Sequence, residues 1–455
     1  MEELRTEKFI QSCRKLIGFD TTADGSTLEA INFLKHLAQE DNFDIEVVEE
    51  VQNGTPQANI IIRTEAFRPG DQEFLLQTHL DTVEAGNFSL WKKNDFNPFD
   101  ATIIDGKIYG LGSAEAKLDF LCKLEALKKF KNQKFSKMKP VLVGTFGEES
   151  GMQGALKLIR KNKINAKYAL IGEPSNLQII HAAKGFATVE IRIPFSEEEK
   201  KYKLVKNESE QTSTQSKIFS GKSTHSSTPH LGDNAINKML DYLQKLPENL
   251  VIIDIDGGTR FNTVPNQAFV EFEIASHEQN LALKKINQIY NVLKQVELEM
   301  QQVTDQEFQP HHSTLSIGIV RTTEDYILLG GSCRILPNIT QDIYEKWMSR
   351  IKMSCDQNGS FFQIKDYKRP FRTSDSSILI KTAQSVLNKM KLETNCLALA
   401  STNEASLFSR VGIECICFGA GLREGNMHTP EENVGIDDLV KSIDFYQMMI
   451  ERLCL

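Results

Sequence analysis

The sequence predicts an α/β protein: a split domain with a central mixed sheet flanked by helices, interrupted by an inserted α+β module. Three observations predict it. Strand and helix patterns alternate through residues 1–183, the pattern loosens over 184–370, and the alternation resumes over 371–455. Such alternation belongs to an α/β layered domain. At 455 residues the chain is also longer than one ordinary core organises.

The elements follow in order. Residues 27–40 carry apolar side chains three and four apart, which predicts a helix. NIIIRT (59–64) and FLLQTHLD (74–81) predict strands, 117–131 a helix, PVLVGTF (140–146) a buried strand, GALKLIRKN (154–162) a helix and YALIGEP (168–174) another buried strand. In the inserted module, ATVEIRI (187–193) alternates as a strand does. Residues 196–217 are polar enough to predict a long, mobile hairpin or insertion. A helix over NAINKMLDYLQKL, a strand in FVEFEIAS, a long amphipathic helix near 280–301, strands IGIV and YILLGGSCRI, and a helix from about 340 complete the module, and Pro370 closes it. SSILIKTAQSVLNKM, the strand in ECICFGAG and a final helix from Ile436 return to the first pattern.

Composition narrows the function. A net charge of −8 with no basic stripe excludes the usual nucleic-acid binder. The lysines between Lys128 and Lys139 read as a solvated helix end and loop. No apolar run has signal-peptide or membrane-span character, so no membrane partner is expected. The eight cysteines are scattered without a CxxC pair, and Cys415 and Cys417 alternate within an apolar run. Free thiols in a reducing compartment are expected, and the cytoplasm is the predicted location.

The chemistry-bearing residues fall at the ends of predicted strands, where α/β sheets place ligands. His79 and Asp81 close FLLQTHLD two residues apart, so imidazole and carboxylate share a face. A metal-bound histidine needs such a carboxylate on its other nitrogen, although ordinary cores contain the same pair. Glu148 and Glu149 follow PVLVGTF; two adjacent carboxylates repel unless cations or separate roles relieve them. One suits a metal and its neighbour a general base. Glu173 follows YALIG, and His428 follows ECICFG and a glycine-rich turn. Oxygen and imidazole ligands without thiolate suit zinc, cobalt or manganese. His311 and His312 sit in a polar segment and read as loop residues.

The order of these motifs resembles the M20 family of metallopeptidases and amidohydrolases, from about Phe9 to the C-terminus. The resemblance rests on THLDTV, NPFDATIIDGKIYGLGSAEAK, TFGEESG, GEPS, THSSTPHLGDNAI, GGTRFNTVPN, SCRILP and MHTPEENV. It implies that the inserted module is a lid and dimerisation domain and that each subunit binds two divalent metal ions, zinc first, with cobalt or manganese as alternatives. It implies His79 and Glu173 as ligands of one metal, Glu149 and His428 of the other, and Glu115 as the bridge. Asp81 would support His79, and Glu148 would be the general base. His225 would reach the active site of a partner subunit in a homodimer. Asn262 and Arg334 would hold a substrate carboxylate, and Thr402 would line the pocket.

One position departs from the family pattern: the bridging residue is ordinarily Asp. The extra methylene of Glu115 moves the carboxylate outward by about 1.3 Å. The Gly-Gly that often follows the nearby lysine is replaced by Leu118 and Asp119, the latter expected to serve as a helix-dipole partner.

The implied reaction is metal-dependent hydrolysis of an amide in an N-acyl amino acid or short peptide, with acetylornithine deacetylase as the first expectation. Succinyl-diaminopimelate desuccinylase is an alternative that needs more positive charge, for which Lys184, Arg260 and Arg423 are candidates. A dipeptidase or carboxypeptidase is a third. A weakened, ligand-binding homologue is the alternative of a different class, motivated by Glu115 alone.

Overall fold

The computed structural model describes residues 2–206, 214–247, 249–274 and 281–455. They form two compact units, one comprising Met1–Ala182, Phe371–Ala398 and Asn403–Leu455, the other Ala183–Pro370 with Leu399–Thr402.

The first unit is built on a mixed sheet. Its strands lie in the order Asp44–Gln52, Thr55–Arg63, Lys139–Thr145, Glu73–His79, Ala166–Gly172, Glu414–Phe418, Ile179–Ala183 and Phe371–Arg372, with Cys396–Leu399 beside Ile179–Ala183. The four central strands, from Lys139–Thr145 to Glu414–Phe418, run parallel. Parallel strands are covered on both faces and so read as continuous apolar runs; every residue of Glu73–His79 is buried. The helices Lys117–Lys128 and Ile436–Cys454 contribute to its main core through Leu118, Phe120, Leu121, Phe445, Tyr446 and Met449.

The helix Lys117–Lys128 is buried on nearly all sides, including Lys117, Asp119 and Lys123. Charges in such a place need partners. Lys123 Nζ lies 2.7 Å from Asp119 Oδ2 and donates to the Gln77 carbonyl at 2.6 Å. Asp119 also accepts from Thr78 Oγ1 at 2.7 Å and from the Tyr446 hydroxyl. Asp119 is therefore a hub of buried hydrogen bonds, more than the dipole partner its first-turn position predicts.

The second unit contains an antiparallel sheet of seven strands: Gln215–Ser220, Gln267–Ile274, Leu250–Gly257, Thr314–Thr322, Tyr326–Ile335, Gly185–Pro194 and Phe361–Lys368. Its longer helices are Ala235–Leu243, Ala282–Gln302 and Gln341–Gln357.

Part of the polar stretch 196–217 differs from expectation. Glu197–Lys206 is a helix, and Gln215–Ser220 is an edge strand. The helix starts in a reciprocal cap: Glu199 N donates to Ser196 Oγ at 3.2 Å, and Ser196 N donates to Glu199 Oε2 at 2.8 Å. This Ser-x-x-Glu pattern is a local start signal that polarity alone obscures. Residues 207–213 of that stretch, and residue 280 at the start of the predicted long helix, lie outside the described residues.

Candidate active site

The parallel strands deliver their side chains to one edge of the first unit. His79 is the last residue of Glu73–His79, and Glu173 directly follows Ala166–Gly172. Gly172 leaves room there, because a Cβ would lie 2.6 Å from Thr78 Oγ1. Glu148 and Glu149 follow Lys139–Thr145, and His428 lies in the loop after Glu414–Phe418. Glu115 sits in the loop before Lys117–Lys128. Gly112 turns that loop at φ +85°, where a Cβ would come within 2.9 Å of Lys117 Cδ.

Two groups of donor atoms result. His79, Glu115 and Glu173 each offer one atom within 4.8 Å of the others, as do Glu115, Glu149 and His428. Glu115 belongs to both. His428 Nε2 lies 2.6 Å from Glu115 Oε2 and 2.9 Å from Glu149 Oε1. Among the described residues, neither His311 nor His312 joins such a group. Their rings face Gln309 Nε2 at 3.0 Å and the Ser313 carbonyl at 2.8 Å.

Asp81 serves both sides of the site. His79 Nδ1 lies 3.1 Å from the Asp81 carbonyl oxygen and 3.7 Å from its carboxylate. The carboxylate accepts the backbone N–H groups of Glu148 at 3.1 Å and Glu149 at 3.0 Å. It therefore lies beside the imidazole while fixing the main chain of the Glu148–Glu149 pair.

The electrostatics are those of crowded acids. Burial, then the Glu149 charge, push the Glu148 carboxyl well above its ordinary range. Burial and then Glu115 raise Glu173 to about 7, against the pull of Arg423, whose Nη1 lies 3.2 Å from Glu173 Oε2. Burial works against protonation of His428, but hydrogen bonds to Glu115 and Glu149 hold it up at about 11. For His79 burial again opposes protonation, and Asp81 overrides it.

Several of these atoms suit a cation. His79 is 1% exposed, and its Nε2 has no hydrogen-bond partner among the described residues. An unpaired buried polar atom costs about 1–3 kcal/mol. With Nδ1 engaged by Asp81, a neutral His79 would offer its Nε2 lone pair as a metal-bound imidazole does. The donor set, imidazole and carboxylate without thiolate, fits zinc-type ions.

The remaining predicted site residues lie in the second unit. His225 pairs with Thr263 in a short two-stranded ladder, and Ser226 N donates to the Asn262 carbonyl at 2.9 Å. The His225 ring meets Ser227 Oγ through Nδ1 at 2.6 Å, and its Nε2 lies 3.5 Å from Arg334 Nη2. Arg334 is 4% exposed and stacks on the Phe186 ring at 4.4 Å. Burial pulls its pKa down to about 10. Among the described residues no carboxylate pairs with Arg334, and its Nε is unpartnered. Thr402 lies in the short segment before the helix Ala405–Arg410, its hydroxyl also unpartnered among the described residues.

Sequence reasoning passed over some contributors. Glu432 lies within the quoted MHTPEENV yet carries no local sign of burial, and Glu404 follows Thr402 by two residues. Both are 1% exposed. Of the cations weighed for a second substrate charge, Lys184 donates to the Pro310 and His312 carbonyls at 2.7 and 2.6 Å, and Arg423 faces Glu173.

Carboxylates and imidazoles gathered beyond parallel strands are the equipment of a metal-dependent hydrolase. The chain belongs to Peptidase family M20/M25/M40, whose sequence profile matches residues 75–452. It is 24% identical over 437 residues to a probable succinyl-diaminopimelate desuccinylase of Staphylococcus aureus (strain MRSA252), covering 94% of this chain and 93% of that protein. It is 31% identical over 251 residues to the acetylornithine deacetylase of Photorhabdus laumondii, covering 54% and 56%. Among solved structures, the aminoacylhistidine dipeptidase of Vibrio alginolyticus superposes with a TM-score of 0.66 at 15% identity, over 98% of this chain and 96% of that one. That likeness establishes the fold. The expected mixed α/β architecture and the family resemblance are both confirmed. Among the described residues no helix is long and apolar enough to cross a membrane.

Proposed function

We propose that the chain is a dinuclear metal-dependent amidohydrolase that removes the acyl group from an N-acyl amino acid. The observation that carries this reading is the pair of ligand groups sharing Glu115. His79 and Glu173 would hold one ion, Glu149 and His428 the other, and Glu115 both. Zinc is the expected metal, with cobalt or manganese as alternatives. Bound there, two cations supply Lewis acidity to the scissile carbonyl and lower the pKa of a water.

The chain's own residues do the rest. Glu148, beside these groups and raised in pKa, takes a proton from the attacking water and passes it to the leaving amine. Asp81 keeps the Glu148 main chain in place. His225, contributed by a partner subunit of a homodimer, donates to the developing oxyanion; one such donor is worth about 3–4 kcal/mol. Arg334 takes the substrate α-carboxylate together with Asn262, and Thr402 lines the pocket. The burial of Arg334 without a carboxylate partner among the described residues supports this role.

Substrate choice rests on charge. Lys184 and Arg423 are engaged within the protein and Arg260 is exposed, which leaves Arg334 as a buried guanidinium without a carboxylate among the described residues. One carboxylate fits N-acetylornithine better than N-succinyl-diaminopimelate. The desuccinylase reading retains support from the long match to the Staphylococcus protein. Glu115 reaching both groups argues against the weakened, non-catalytic homologue. None of the eight cysteines forms a disulfide, and all but Cys396 are buried, which fits the reducing cytoplasm.

The test is metal content with turnover. Two ions per chain and amine release from N-acetylornithine support the proposal, and preference for N-succinyl-diaminopimelate or a dipeptide reassigns the substrate. No bound metal and no turnover in added zinc or cobalt defeats it. A monomer in sedimentation removes the role given to His225.

A further inference from the structure

The loop that presents Glu115 is closed by a carboxylate from far along the chain. Glu432 Oε1 accepts the backbone N–H of Ala114 at 2.7 Å and of Glu115 at 2.9 Å, and Oε2 accepts that of Gly112 at 3.3 Å. The Glu432 carbonyl accepts Gly110 N at 3.0 Å. Its neighbour Asn433 begins the short strand Asn433–Gly435, which pairs with Lys107–Tyr109 at the entrance to the same loop. Glu432 is 1% exposed, and among the described residues no cationic side chain forms an ion pair with it. Three backbone donors converge on this one buried carboxyl group, which fixes their arrangement, because a buried polar group left without its partner costs about 1–3 kcal/mol.

Glu432 is four residues beyond His428, on the same loop. The two side chains that meet at 2.6 Å, His428 and Glu115, are thus carried on segments that this one carboxylate ties together. We propose that Glu432 is a positioning residue for the shared ligand Glu115: it accepts the Glu115 N–H and so sets the reach of the Glu115 carboxylate toward both ligand groups. The proposal rests on the dinuclear reading above. It also addresses the longer side chain at the bridging position, since a longer ligand has more rotamers to wander through and depends more on a fixed main chain.

The experiment titrates metal-free wild type, Glu432→Ala and Glu432→Gln with zinc alone against a chromogenic chelator, and records melting with and without zinc. Wild type is expected to take two ions. Glu432→Ala is expected to bind zinc about 10–100-fold more weakly, the range for outer-shell partners of metal ligands, and to lose most of the zinc-induced rise in melting temperature. Glu432→Gln keeps an acceptor for Ala114 and Glu115 and should fall between the two. If the alanine variant does not fold, the glutamine variant carries the test, with weaker zinc binding expected at an unchanged metal-free melting temperature. Wild-type zinc affinity in whichever variants fold overturns the role of Glu432 while leaving the dinuclear reading standing. Failure of wild type itself to bind zinc overturns both.

Discussion

In the first unit, Asp81, Glu115, Glu148, Glu149 and Glu173 surround two imidazoles and the Arg423 guanidinium, whereas the second unit buries the Arg334 guanidinium with no carboxylate beside it among the described residues. The excess is negative in one and positive in the other. Buried charge without a partner is costly, and on the proposed function the first region takes cations and the second the carboxylate of a substrate. The scaffolds differ to match. Parallel strands end at one edge and bring acids from distant segments to a point, while the antiparallel sheet holds Arg334 flat against Phe186 from the neighbouring strand.

The largest effect is expected at Glu148. Glu148→Gln should lower kcat about 10²–10⁴-fold, the usual contribution of a general base, with metal content unchanged in elemental analysis. A loss of metal instead would make Glu148 a ligand and blur the division of labour between the two adjacent acids. Next is Asp119, which tests whether buried charge in the first unit is also structural. Asp119→Ala strands Lys123 and should cost about 3–5 kcal/mol in urea unfolding.

Arg334→Met sharpens the contrast from the other side. Charge-assisted hydrogen bonds of about 1.5–3 kcal/mol predict a loss of roughly 10–100-fold in kcat/KM, mostly through KM. Stability should hold or rise, because no protein carboxylate is left unpaired. A marked fall in stability would show that Arg334 serves the fold.

The smallest effect concerns Glu404, which accepts from Thr145 Oγ1 at 2.9 Å and from Gln77. Burial pushes its carboxyl up to about 7 from an ordinary 4.5. A raised carboxyl contributes stability that is full below pH 4.5 and lost as pH rises through 7. Glu404→Gln mimics the protonated form, so it should match wild type near pH 4.5 and exceed it by at most about 3 kcal/mol at pH 8. Parallel stability curves for the two proteins would show that Glu404 does not titrate in this range.

Much of the architecture was legible because its signals are local. Apolar runs bounded by glycine, proline and acidic residues located the central strands to within a few residues, and their ends located His79, Glu148, Glu149 and Glu173. The capped helix Glu197–Lys206 was missed because its composition is that of a solvated loop, although Ser196 and Glu199 carried the start signal.

Which residues stand at the strand ends, and which chemistry they offer, follows from local pattern alone, since side-chain alternation and chain breakers act over a few residues. How they combine is set by the folded chain. The Asp81 carboxylate turned to the Glu148 and Glu149 amides, Arg334 came to lie on Phe186, Asp119 joined Lys123 and Tyr446, and Glu432 closed the loop of Glu115. These contacts join residues that are mostly far apart in sequence. They are set by which polar groups are buried together and must satisfy one another, a condition that no short stretch of sequence contains.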